Sequence, residues 1–138
     1  MSMQNTDQPV NTQKMLAEAR KAVPEITATQ AKEQLDNGQV DLILDVREPN
    51  EWEKGHIPGA VLAPRGMLEW YADPTSSYAK QEITANRNGR IVVHCAAGAR
   101  SLLAAETLKK MGYTDVVSMA GGFTDWSAKA FPTESATK

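Results

Sequence analysis

The feature of this chain that most constrains its fold is an alternation of short apolar runs with helix-forming segments. Two runs, VDLILDVRE (40–48) and RIVVHC (90–95), are rich in β-branched residues and bounded by turn residues, which is typical of buried strands. TDVVSMAGG (114–122) predicts a further strand and turn, and AVLAP (60–64) predicts a short strand. Apolar strands separated by helices predict an α/β domain with a central, mostly parallel sheet flanked by helices.

Helices are predicted between the strands from helix-forming residues and end signals. Residues 11–22 predict a short helix peripheral to the core, and residues 27–30 have the capping-box spacing that begins a second helix. In residues 100–112 the apolar side chains share one helical face. Further helices are predicted over 65–72, 123–131 and part of 75–88.

The chain has 138 residues, a length that suits one domain with its own core. We expect three segments: a polar N-terminal extension with its peripheral helix (1–22), the α/β domain (23–132) and a polar C-terminal tail (133–138).

Composition narrows the classes of function. With 15 basic and 17 acidic residues, the chain has no basic surplus that would favour binding to nucleic acid. It has no apolar stretch long enough for a membrane span and no signal-peptide pattern, so a cytoplasmic protein is expected. A single cysteine and two histidines predict neither a disulfide nor a metal site, and no cofactor is expected.

The single cysteine, Cys95, ends the 90–95 run and is followed directly by a predicted helix. Ligands of parallel sheets bind beyond the carboxyl ends of the strands, where Cys95 is expected to lie. Free N–H groups at a helix N-terminus lower the pKa of a nearby thiol. The residues that follow Cys95 are small except for the last, and their amides are predicted to surround the sulfur, with Gly98 at positive φ: Ala96, Ala97, Gly98, Ala99 and Arg100.

Arg100 is the second indication of chemistry in this loop. A cation in the first turn of a helix opposes the helix dipole, so it suits a loop that binds an anion. The pattern therefore predicts a cysteine nucleophile in an anion-binding loop. The alternative is that Cys95 is a small buried apolar residue in an ordinary strand-to-helix connection.

Four blocks, in this order and spacing, resemble the rhodanese family of sulfurtransferases over about residues 24–131. They are LILDVREPNEWEKGHIPGA (42–60), IVVHCAAGARS (91–101), LLAAETLKKMGY (102–113) and DVVSMAGGFTDW (115–126).

The resemblance implies a small α/β domain with a central parallel sheet, a catalytic cysteine that carries a persulfide, and no cofactor. Cys95 matches the sulfur-carrying residue, and residues 96–100 match the loop whose amides bind the persulfide. The implied partners are a sulfur donor such as thiosulfate and an acceptor such as cyanide or a thiol, including a protein thiol. Arg100 would hold the charge of the sulfite that leaves.

Loop length distinguishes two related classes of enzyme. Cysteine-dependent tyrosine and dual-specificity phosphatases have five residues between cysteine and arginine, whereas this chain has four. The shorter loop fits a single sulfur better than a phosphoryl group. A phosphatase or arsenate reductase remains an alternative, and so does a rhodanese-like binding module without catalytic activity.

Five further polar residues are candidates near the site. Arg65 is predicted to border the pocket and attract anionic donors, with a solvated surface arginine as the alternative. Asp45 and Arg47 are expected to brace the site, or to form ion pairs with nearby glutamates (48 or 51). His56 is predicted to bond to backbone in a turn, and His94 to point away from the pocket.

The glycine pair Gly121 and Gly122 precedes the last predicted helix. We expect it to be structural, because the backbone there has to pass close to the cysteine loop.

Overall fold

The computed structural model describes residues 9–135, in which helices and strands alternate along most of the chain. The strands are β1 (Glu25–Ile26), β2 (Leu42–Asp45), β3 (Val61–Leu62), β4 (Arg90–His94) and β5 (Asp115–Met119). The helices are α1 (Thr12–Ala22), α2 (Ala28–Asp36), α3 (Pro49–Lys54), α4 (Leu68–Ala72), α5 (Gln81–Thr84), α6 (Ala99–Lys110) and α7 (Gly122–Ala128), with a 3-10 turn at Arg65–Met67 before α4. None of the helices within 9–135 is both long enough and apolar enough to span a bilayer.

The five strands form one sheet in the order β1-β5-β4-β2-β3, and every neighbouring pair is parallel. The predicted α/β architecture is therefore confirmed. β4 is apolar throughout its centre because both faces of the sheet are covered: Ile91 and Val93 pack into one core cluster, and Val92 packs into the other. The alternation of side chains along a strand accounts for this division.

Helix α1 is more than a peripheral addition to the domain. Its Ala19 is fully buried in the core cluster that also holds the apolar side of α6. Lys109 of α6 donates from Nζ to the carbonyl of Ala22 at 2.7 Å, so α6 also contacts the C-terminal end of α1. The polar composition of this segment did not indicate the contact. Residues 1–8 of the predicted extension lie outside the described residues.

Two short backbone pairings were not expected. β1 has only two residues, but Ile26 accepts from the amide of Ala120 at 2.8 Å and so extends the sheet at its edge. Glu134, in the predicted polar tail, forms a two-way backbone bridge with His56 at 2.8 and 2.9 Å. The part of the tail that the structure describes is therefore attached to the domain, and residues 136–138 lie outside the description.

The first long strand ends earlier than predicted, whereas the predicted start of α2 agrees with the structure. The 40–48 strand ends at Asp45, because Pro49 is the first residue of α3 and Glu48 caps that helix. The predicted capping box of α2 is confirmed: Thr27 and Gln30 exchange side-chain-to-backbone hydrogen bonds at 2.8 and 3.1 Å.

The glycine pair at the start of α7 brings that helix under the cysteine loop. Gly121 and Gly122 have φ of 78° and 55°, both in the left-handed region. This turn directs the amide of Phe123 to the carbonyl of Cys95 at 2.8 Å, and that of Thr124 to the carbonyl of Ala96 at 3.0 Å. The expected close approach of two backbones is confirmed.

Replacing Gly122 by alanine should therefore destabilise the protein. A Cβ on Gly122 would lie 2.4 Å from the Cys95 carbonyl oxygen, and the neighbouring atoms are backbone, which cannot rotate away. We expect Gly122→Ala to lower the free energy of unfolding by about 2–4 kcal/mol, measured by urea denaturation.

Gly66→Ala is the matched control, because a Cβ there meets nothing within 4 Å and φ is not left-handed. It should change the unfolding free energy by less than about 1 kcal/mol. Equal stabilities for the two variants would contradict the close packing under the loop.

Candidate active site

The thiol of Cys95 lies directly after β4, at the carboxyl end of the central strand. The residue is only 1% exposed, so the sulfur has almost no contact with solvent. β4 is followed after four residues by α6, and this short connection places the first turn of the helix against the sulfur. The position predicted from the sequence is the one observed.

Hydrogen-bond donors from the start of α6 converge on the sulfur. Gly98 N lies 3.1 Å from Cys95 Sγ, and Ser101 N lies 3.4 Å from it. The Ser101 hydroxyl is 3.5 Å from the same sulfur. Gly98 precedes the helix with φ of 109°, the positive value expected for this glycine, and this turns its amide inward.

These donors decide the ionisation of the thiol. Burial alone raises the pKa of Cys95, since it disfavours the thiolate. The Ser101 hydroxyl and the amides of Ser101, Gly98 and Ala97 oppose burial, and together they hold the pKa of the thiol below its ordinary value. The loop therefore favours a sulfur anion in a site largely closed to water.

A pair of buried hydroxyls lies behind the sulfur. Ser101 Oγ is 2.8 Å from Ser118 Oγ on β5 and 3.2 Å from the carbonyl of Gly98, and both serines are fully buried. The Ser101 hydroxyl has one hydrogen: it donates to the Gly98 carbonyl while the Cys95 thiol donates to Ser101 Oγ. When Cys95 is a thiolate and Ser118 donates to Ser101, that hydrogen can turn from the carbonyl to the sulfur. Sequence reasoning missed both serines. Ser101 stands one residue after Arg100, but nothing local indicates Ser118.

A buried ion pair braces the floor of the loop. Arg47 binds the carboxylate of Asp45 through Nε and Nη2, with the Nη2–Oδ2 distance at 2.8 Å, and Nη2 also donates to the carbonyl of Gly55. The guanidinium stacks on the ring of Phe123 at 4.3 Å. Phe123 connects the pair to the loop, because its amide donates to the Cys95 carbonyl. Arg47 pairs with Asp45 rather than with Glu48 or Glu51.

The two histidines are placed as the sequence predicts. His94 is fully buried, and its Nδ1 lies 3.3 Å from the carbonyl oxygen of Cys95. Burial lowers the pKa of His94, so the ring stays neutral. His56 Nδ1 lies 2.9 Å from the carbonyl of Trp52 in the turn after α3. No hydrogen bond joins either ring to the Cys95 sulfur among residues 9–135.

Arg100 is in the first turn of α6, but its guanidinium is already occupied. Nη1 and Nη2 donate to Oε1 and Oε2 of Glu51 at 2.9 and 3.1 Å. This two-point ion pair lowers the pKa of Glu51 to about 2 and raises that of Arg100. Sequence reasoning placed Glu51 in a different ion pair and left Arg100 open for an oxyanion.

Arg65 is not joined to the cysteine loop. Its guanidinium donates to Glu69 at 3.1 and 3.2 Å and to the hydroxyl of Thr107 at 3.1 Å, in the C-terminal part of α6. Glu69 lies one helical turn after Arg65 and holds the side chain there. The predicted role in binding substrate gains no support from this position. Within the described chain, no three His, Cys, Asp or Glu side chains are grouped to hold a metal ion.

Comparison with known proteins identifies the domain. The family model described as "Rhodanese-like domain" matches residues 27–129. The chain is 37% identical over 113 residues to the "Putative sulfur carrier protein YrkF" of Bacillus subtilis, covering 82% of this chain and 56% of that protein. It is 35% identical over 107 residues to "Thiosulfate sulfurtransferase GlpE" of Pseudoalteromonas translucida, covering 78% of this chain and 91% of that protein.

A solved structure is similar over nearly the full length. It is a protein of unknown function from Rhodopseudomonas palustris, described as a possible tyrosine phosphatase. The two share 37% identity and superpose with a TM-score of 0.84, covering 92% of this chain and 98% of the other. The chain spans about half of the length of the Bacillus protein.

Removing the Ser101 hydroxyl should make the thiol a weaker acid. In Ser101→Ala the sulfur keeps its amide donors but loses the hydroxyl, so the pKa of Cys95 should rise. The rate of alkylation by iodoacetamide against pH should show its midpoint at higher pH than in the unmodified protein. Ser127→Ala, at an exposed position of α7, is the control and should leave the midpoint in place. A midpoint unchanged in Ser101→Ala would exclude the Ser101 hydroxyl as a donor to the thiolate.

Proposed function

The chain belongs to the rhodanese-like family, and from this premise we propose that it is a sulfurtransferase that carries sulfane sulfur as a persulfide on Cys95. The observation that carries the proposal is the convergence of Gly98 N, Ser101 N and the Ser101 hydroxyl on one sulfur. A persulfide ends in a sulfur anion, and donors already pointed at the thiolate would stabilise that anion as well.

The first half of the reaction loads the cysteine. The Cys95 thiolate attacks the outer sulfur of a donor such as thiosulfate, a bond forms from Sγ to that sulfur, and the sulfur–sulfur bond of thiosulfate breaks. Sulfite leaves with the electron pair, and no proton is transferred. The total charge is unchanged, because the thiolate and thiosulfate become a persulfide anion and sulfite.

The second half returns the thiolate. Cyanide or an acceptor thiolate attacks the terminal sulfur, the Sγ–S bond breaks, and the electron pair goes back to Cys95. The products are thiocyanate or a new persulfide, on a small molecule or a protein thiol. No general base is needed because the attacking group in each half is already an anion. We also propose a cytoplasmic setting, since a reactive thiolate is oxidised less readily in a reducing compartment.

A cysteine phosphatase is the second candidate, favoured by the similarity to the Rhodopseudomonas palustris protein. The loop argues against it: only four residues separate Cys95 and Arg100, and the arginine is bound to Glu51. A phosphoryl group presents three oxygens, which need more donors and a wider ring of amides than a single sulfur. A rhodanese-like module that only binds a partner is the remaining alternative.

Incubation with thiosulfate should add one sulfur atom to Cys95. Intact mass, recorded after desalting without reductant, should rise by one sulfur, and cyanide should remove the gain with release of thiocyanate. Cys95→Ser is the control and should show no gain. If neither thiosulfate nor a persulfide donor adds sulfur, the proposal fails and the binding module is favoured.

An aryl phosphate should not be a substrate. We expect release of p-nitrophenol from p-nitrophenyl phosphate to be no faster with the unmodified protein than with Cys95→Ser, because the four-residue loop has no room for the phosphoryl oxygens. Steady turnover that Cys95→Ser abolishes would establish the phosphatase instead.

A further inference from the structure

Beside the cysteine loop, Arg100 and Glu51 form an ion pair whose geometry is set by two helices. Arg100 is in the first turn of α6, and Glu51 is in the first turn of α3. Glu51 Oε1 accepts from Arg100 Nη1 at 2.9 Å and also from the amide of Glu48 at 2.9 Å. The carboxylate is therefore held by its own helix cap while it binds both ends of the guanidinium fork.

The charged side chains around the loop do not give it a net positive charge that would attract anions. Glu51 neutralises Arg100, and its pKa of about 2 keeps it ionised at every working pH. Glu48 is exposed and acts on Arg100 through its charge as well. The other nearby cation, Arg47, is buried and paired with Asp45. With the Cys95 thiolate included, the formal charges of these side chains give a negative sum, and both glutamates and the thiolate act on Arg100.

This arrangement has a consequence for the sulfur donor. A donor with two negative charges must draw Arg100 away from Glu51 or approach two carboxylates and a thiolate without a free cation. The side chains of Arg100 and Glu51 are 39% and 30% exposed, so both are at the surface where a donor would arrive. We propose that Glu51 determines donor specificity by holding Arg100, so that the site favours singly charged sulfur donors over dianions such as thiosulfate.

The inference rests on the proposed sulfurtransferase activity and can be separated from it by two matched donors. Thiosulfate is a dianion, and methanethiosulfonate has nearly the same shape with a methyl group in place of one oxygen anion. Each passes its outer sulfur to the Cys95 thiolate, and sulfite or methanesulfinate leaves with the electron pair. In a reaction of two half-steps, kcat/KM for the donor reports only the loading step, so cyanide can serve as acceptor for both.

Glu51→Gln is the decisive variant, because glutamine keeps an oxygen for the Glu48 amide and for Arg100 but has no charge. We expect kcat/KM for thiosulfate to rise about fivefold to tenfold more than kcat/KM for methanethiosulfonate, measured at low ionic strength. A purely structural effect would move both donors alike. A ratio that stays unchanged or falls overturns the inference, while loss of sulfur loading from both donors in the unmodified protein overturns the proposed function instead.

Asp115→Asn is the matched control. It removes one carboxylate from another arginine pair, with Arg90 at 2.9 Å, at the opposite end of the sheet from Cys95. The ratio should stay that of the unmodified protein. If Glu51→Gln does not fold, salt provides a second test on the unmodified protein. Screening should raise kcat/KM for thiosulfate relative to methanethiosulfonate, and a relative fall would contradict a net negative site.

Discussion

A sulfur anion that is withdrawn from water must be stabilised by donors built into the fold, and the rest of this structure follows from that requirement. Cys95 is 1% exposed, and burial by itself would keep it protonated. The donors that reverse this effect are the Ser101 hydroxyl and the backbone amides of Ser101, Gly98 and Ala97, in the loop and the first turn of α6. The amides keep their direction because the backbone of the loop and the helix fixes them. Any chemistry at Cys95 depends on keeping that turn directed at the sulfur.

The parallel sheet provides this arrangement through connectivity. β4 is the middle strand of five, and the helix that returns over the sheet has to start where the strand ends. The loop between them has no secondary structure of its own, and hydrogen bonds from α7 hold its backbone in place. The turn at Gly121 and Gly122 brings α7 close enough for two amides to hold the carbonyls of Cys95 and Ala96. The glycines therefore serve the site although neither contacts the sulfur.

How much the sequence could predict depended on how local each interaction is. Strands β2 to β5, the helix after Cys95 and the capping box at Thr27 follow from patterns within a few residues, and all of them are in the structure. Partners far apart in sequence were missed. Glu51 is 49 residues from Arg100, and Ser118 is 17 residues from Ser101. No periodicity records such pairs, because the sheet topology alone brings them together.

Two-residue β1 and the burial of Ala19 were missed for a related reason. Strand β1 forms by pairing with β5, and Ala19 is buried by packing in the same cluster as α6. Because β1 is short and the α1 segment is polar, neither has a strong sequence pattern of its own. Arg65 shows the reverse case. Its position after a proline suggested the pocket border, but the glutamate one turn later on its own helical segment captured the side chain.

The charges near the loop separate into two groups with different consequences. Below the loop, Asp45 and Arg47 cancel each other in a buried pair, and His94 is neutral because burial lowers its pKa. Removing one member of such a pair leaves an unpaired buried charge, so the floor tolerates little change. At the rim, Arg100 and Glu51 are partly exposed, and loss of one charge there costs little stability. The loop amides thus stabilise the sulfur anion, whereas the Arg100–Glu51 pair can alter which donor reaches that sulfur without changing the thiolate itself.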